Sequence, residues 1–104
     1  MAASLALILE GTHLVAAPNG DVRLPVQHAA VRWVASSGEA MTTGGRLQEL
    51  IAQGRTDLSW TAVWVPLMRG TELLGLWLLG DRGGGLGFGP EDLRWLTALA
   101  RQAA

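Results

Sequence analysis

Two runs constrain this chain more than any other feature. Residues 60–68 and 72–79 are dense in Val, Leu and Trp at both odd and even positions. A strand sends alternate side chains to opposite faces, so a run apolar at both parities needs cover above and below. The Arg69-Gly70-Thr71 segment between them suits a tight reversal. The pair predicts the centre of an antiparallel sheet with helices on both sides. Pro66 falls inside the first run and donates no ladder hydrogen bond, which predicts a bulge or local break there.

Shorter segments supply the cover. Residues 4–9 (SLALIL) and 13–17 (HLVAA) are separated by Glu10-Gly11 and stop at Pro18-Asn19-Gly20-Asp21, the pattern of a hairpin. Residues 26–36 put Val26, Ala29, Ala30, Trp33 and Val34 on one helical stripe facing the core, with Gln27, His28 and Arg32 off it. Pro25 suits the start of that helix and Gly38 its left-handed stop. Residues 39–43 read as a short edge strand broken by Gly44-Gly45. Residues 46–53 read as a second helix with Leu47, Leu50 and Ile51 on one face, and residues 55–59 as a loop. Residues 80–89 carry six glycines and read as a flexible connector. Pro90 opens a last helix with Glu91 and Asp92 well placed for its N-terminal dipole. Leu93, Leu96, Ala100 and Ala103 form its stripe, and Trp95, Leu99 and Gln102 lie beside it. The sum is one α+β domain over residues 1–104. Its central antiparallel sheet has about five strands, with the two middle helices on one face and the C-terminal helix on the other.

Composition narrows the function. The eight basic residues are all Arg, scattered singly against nine acidic residues. A nucleic-acid backbone or an anionic membrane needs clustered cations, so neither is an expected partner. The chain has no Cys, which excludes a disulfide framework, a thiolate metal site, a cysteine nucleophile and a thioether-linked chromophore. The opening MAASLALILEG has no basic n-region, and its apolar run is too short for a signal peptide or a membrane span. A cytoplasmic setting is therefore expected. Hydrophobic residues make up 49% of the chain, high for a small domain, so part of that surface is expected to face a partner. His13 and His28 have no ligand partner at metal spacing, and Asp81, Glu91 and Asp92 read as loop and helix-start residues. The 80–87 glycine loop lacks the Gly-Lys-Ser/Thr ending of a phosphate loop. The residues predict neither an enzyme nor a cofactor.

The second half carries a family resemblance. Val65-Pro66-Leu67, Glu72-Leu73-Leu74-Gly75, the helix opening Phe88-Gly89-Pro90-Glu91-Asp92-Leu93 and residues 99–104 follow in an order similar to the C-terminal half of the GAF family of small-molecule sensor domains. Residues 31–41 (VRWVASSGEAM) give a weaker upstream echo. The resemblance implies a PAS/GAF/profilin-like architecture. It also implies a regulatory domain of a bacterial signal-transduction protein, such as a sensor histidine kinase of a two-component system. There, a ligand between sheet and helices would bias the last helix, which would act on an output domain of the same chain or on a homodimer partner. Family members usually begin with a helix before the first strand. The resemblance therefore implies truncation at the N-terminus, with one sheet face undercovered. The asparagine-lysine motif of cyclic-nucleotide-binding members and the attachment Cys of bilin-binding members are absent, so the ligand is unidentified.

The five Trp, at 33, 60, 64, 77 and 95, are the excess to be explained. One reading brings Trp33, Trp64 and Trp77 together as walls of an apolar pocket, with His28, Arg32 or Glu39 at its rim. A second has them simply fill a small core. A third, a ligand-free dimerisation module, places Trp95, Leu99 and Gln102 at an interface between two copies.

Overall fold

A computed structural model describes residues 4–16, 22–80 and 88–103. The first hairpin forms as the sequence pattern requires. β1 (Ser4–Glu10) pairs antiparallel with β2 (His13–Ala16), Leu9 opposite Leu14 and Leu7 opposite Ala16. Leu5, Leu7 and Leu9 share one face, leaving Ala6 and Ile8 on the other. The double-sided runs become β5 (Thr61–Arg69) and β6 (Glu72–Gly80), joined through Gly70-Thr71. β1 pairs with β6, and the short β4 (Met41–Thr42) pairs with β5 at the far edge.

The sheet has six antiparallel strands in the order β3-β2-β1-β6-β5-β4, against the five or so expected. The added strand is β3 (Arg23–Pro25), which pairs with β2. Only Leu24 of its three residues is buried, too little alternation to register as a pattern. Its proline is tolerated because an edge position does not demand its missing donor.

β3 also displaces the first helix. Pro25 lies opposite His13 in the sheet, and the Val26 N–H donates to the Thr12 carbonyl at 2.9 Å. α1 therefore spans Ala29–Ser37, three residues later than the expected start. Its buried residues are Ala30, Val31 and Val34. This roll turns Trp33 away from the core it was expected to face. Gly38 ends the helix at φ 68°, a left-handed conformation that favours glycine, and its N–H donates to the Val34 carbonyl. α2 (Arg46–Ala52) buries Leu47, Leu50 and Ile51 as the spacing predicts, and a 3-10 turn at Thr56–Leu58 follows.

Helices cover both faces of the central strands. α1, α2 and the 3-10 turn pack on one face, around Leu7, Leu14, Leu24, Trp64, Leu76 and Leu78. The second face has a smaller core of Val63, Val65, Leu79, Ala40 and Ala100, with Leu93, Leu96 and Trp77 packed against it. α3 (Pro90–Ala103) closes that core chiefly over β5. The Asp92 carboxylate accepts the Gly89 N–H at 2.9 Å, the return half of a capping box, which offsets the missing Ser or Thr at the cap.

The register shifts between Thr61 and Val63 and between Leu67 and Met68. Pro66 itself stays in register opposite Leu76, so the expected irregularity falls just beyond it. No helix among the described residues is long and apolar enough to cross a membrane. The expected turn at residues 18–21 and most of the glycine connector, 81–87, lie outside the described residues.

Candidate functional site

The register decides which tryptophans can meet. Trp64 lies opposite Leu78 and Val65 opposite Trp77. Residues directly opposite share a face and neighbours along a strand do not, so Trp64 and Trp77 project from opposite sides of the sheet. Trp64 is fully buried, 0% exposed, in the larger core. Its indole N–H donates to the Thr61 hydroxyl at 2.9 Å, and that hydroxyl donates to the Leu58 carbonyl at 2.7 Å. Trp77 packs under α3 in the smaller core. Trp33 is 43% exposed on the outer side of α1. The three residues of the expected pocket thus occupy three separate surroundings. Trp60 precedes β5 and is partly exposed.

The polar rim residues divide too. His28 is the N-cap of α1, its Nδ1 accepting the Ala30 N–H at 3.1 Å. An acceptor nitrogen must be unprotonated. Partial burial first, and the Arg55 charge second, hold the His28 pKa below its ordinary 6.5. The Arg55 guanidinium makes a bidentate pair with Asp57, at 3.0 and 2.9 Å, and donates to the Arg23 carbonyl at 2.7 Å. It thereby ties β3 to the 3-10 turn and holds the Asp57 carboxyl below the usual range. Arg32, Trp33 and Arg46 line an open groove of about 450 Å³ between α1 and α2. Glu39, Ser37, Trp33 and Leu93 line a neighbouring groove of about 390 Å³.

A smaller cavity of about 120 Å³ lies between α2, the 3-10 turn and β5, lined by Thr43, Ile51, Arg55, Leu58 and Thr61 among others. It falls below the roughly 300–1,000 Å³ of most ligand pockets. Of its polar walls, Thr43, Thr61 and Arg55 are engaged within the chain, the Thr43 hydroxyl donating to the Thr61 carbonyl at 2.8 Å. Among the described residues, no buried side-chain nitrogen or oxygen lacks a hydrogen-bond partner. Nor do any three His, Cys, Asp or Glu side chains among them gather as metal ligands.

α3 presents the other candidate surface. Leu93, Leu96 and Ala100 face the sheet, while Trp95 is 67% exposed, Leu99 42%, and Gln102 also lies at the surface. On β1, beyond the cover of α3, Ile8 is 44% exposed. Sequence reasoning singled out the α3 residues from their helical spacing. It missed Ile8, because SLALIL is apolar at almost every position and gives no sign of which parity stays uncovered. Among known proteins, no family model matches this chain and no curated protein is significantly similar to it.

Proposed function

We propose that this chain is a non-catalytic, GAF-like regulatory domain of a cytoplasmic bacterial signalling protein, and that it acts by self-association through the outer flank of α3. The layering supports the GAF-like part of the reading. An antiparallel sheet carries α1 and α2 on one face and α3 on the other, the arrangement that the resemblance implies. In this reading α3 relays the state of the domain to a partner copy and to an output domain of the same chain.

The observation that carries the association is the contrast between Trp64 and Trp95. A domain built around a vacant pocket keeps aromatic walls and polar handles for its ligand. Here Trp64 is spent on the core with its N–H satisfied, and of the three exposed tryptophans Trp95 on α3, at 67%, stands out furthest, against 43% for Trp33 and 38% for Trp60. Burying an exposed Trp in a partner is among the most favourable single contacts an interface makes.

One observation favours small-molecule sensing as a second reading. Arg32 and Arg46 line the α1–α2 groove together with Trp33, Arg46 also pairing with Glu49 at 3.3 Å, and cations near an aromatic side chain suit a planar anion. Native mass spectrometry of the purified chain and of Trp95→Glu separates the two. A dimer that Trp95→Glu converts to monomer is the expected result. A monomer carrying a copurified small molecule would overturn the association and transfer the function to the groove.

A further inference from the structure

We infer that the corner joining β3 to α1 is an acid-released latch, a proton input to the domain that is independent of self-association through α3. Three bonds from His28 hold the corner. Its N–H donates to the Pro25 carbonyl at 3.0 Å, closing the turn that leaves β3. Its carbonyl accepts the Arg32 N–H at 3.0 Å, the first helical bond of α1. Its Nδ1 accepts the Ala30 N–H at 3.1 Å, one of the donors that a helix start leaves without a backbone partner. This last bond needs a bare ring nitrogen, because a protonated imidazole donates from both of its nitrogens. Acid therefore turns the cap into a donor facing a donor. Ala30 is 0% exposed, so water does not replace the lost acceptor while the corner stays closed.

Two positive charges oppose the proton. One is the N-terminal end of the helix dipole, which disfavours a cation at the cap. The other is the Arg55 guanidinium. Arg55 is also the second half of the latch. The Ala16 N–H donates to the Val22 carbonyl and the Val26 N–H to the Thr12 carbonyl, so the even-numbered residues of this edge strand bond to β2. Antiparallel pairing alternates, which aims the Arg23 carbonyl away from β2 at the open edge. Arg55 takes that carbonyl at 2.7 Å. The guanidinium that closes the β3 edge is thus the one that repels a charged His28.

The remaining charges of the neighbouring elements do not relieve that repulsion. Asp57 in the 3-10 turn already holds Arg55 with both oxygens, at 3.0 and 2.9 Å. On α2, Arg46 and Glu49 pair with each other. Arg23 on β3 and Arg32 on α1 add positive charge, and β5 beneath α1 is charged only at Arg69, its last residue. His13 on β2, opposite Pro25, is the other titratable group, its Nδ1 3.0 Å from the Thr12 hydroxyl.

The closed corner holds the His28 pKa below 6.5, and opening returns it to that value. The closed form is therefore fully favoured above about pH 6.5, and the open share grows as the pH falls toward the lower closed value. Leu24 and Ala30, both 0% exposed, lie at this corner, so its release uncovers one end of the larger core. β5 and β6 lie beyond β2 and β1 in the strand order and keep their pairing.

Amide exchange of the whole chain, read by NMR and corrected for the intrinsic effect of pH, tests the latch. Between about pH 7.5 and pH 5.5 the Val26 and Ala30 amides are expected to lose protection by up to about tenfold, the ceiling for one group returning to its ordinary pKa. Amides of the β5–β6 ladder are expected to lose less. His28→Asn keeps a capping acceptor without the titration and is expected to hold its corner protection across this range. Arg55→Gln is expected to raise the titration midpoint of the His28 ring, a readout that a purely structural tie would leave unmoved. If the Val26 and Ala30 amides of the unmodified chain keep their protection at the lower pH, or lose it equally in His28→Asn, the latch is overturned. If the β5–β6 amides lose as much protection as the corner, the opening is global and the latch falls as well. That comparison needs no variant, so it decides even if His28→Asn does not fold. An unmoved ring midpoint in Arg55→Gln would overturn Arg55 as the second half.

Discussion

The indoles of Trp64 and Trp95 have the same chemistry and opposite surroundings. Trp64 pairs its N–H with Thr61 inside a filled core, and Trp95 stands on the outer side of α3. His28 shows how a residue chosen as a ligand anchor becomes a structural part. Its ring closes the first turn of α1 and works only as a neutral acceptor. In the unfolded chain His28 regains its ordinary pKa of 6.5, so below that pH the unfolded state binds a proton that the folded state resists. The contribution to stability is thus fully present above about pH 6.5 and is lost as the pH falls toward the lower folded value. His28→Asn keeps a capping acceptor and removes the titration. It is expected to reduce the drop in thermal midpoint between about pH 7.5 and pH 5.5. An equal drop in both proteins would show that His28 does not carry the effect.

At the scale of elements, α3 is the part on which the functional account depends. A thin core and the Thr97–Ala40 hydrogen bond hold it in place. Thr97→Val keeps the side-chain shape and leaves the Ala40 N–H without its acceptor, a loss of about 1–3 kcal/mol. Amide exchange in α3 should then quicken while α1 keeps its protection. An unchanged α3 would remove Thr97 as the residue that sets the helix roll. Strong local signals made much of this layer legible in the sequence. The β5–β6 hairpin followed from two-sided hydrophobicity, α2 from its apolar stripe, and the end of α1 from Gly38. β3 was hidden because a three-residue Arg-Leu-Pro segment holds no periodicity. The roll of α1 was misread for the same cause, since β3 consumes the residues that would have begun the helix. The separation of Trp64 from Trp77 depends on pairing register, which no single-strand pattern encodes.

For the whole molecule, the apolar excess of the composition and the uneven cover of the sheet describe one fact from two sides. α1 and α2 close one face, while α3 covers β5 and part of β6 on the other. Trp95 and Leu99 on the outer flank of α3 carry part of that apolar surplus at the surface. Self-association through this flank predicts a mass that grows with concentration, in contrast to an obligate dimer, in which the folded monomer is scarce at any dilution. Sedimentation equilibrium of the unmodified chain, from dilute to concentrated, tests this most directly. The account predicts an average mass that climbs from 11.0 kDa toward twice that value. A mass fixed at 11.0 kDa across the whole range would contradict it.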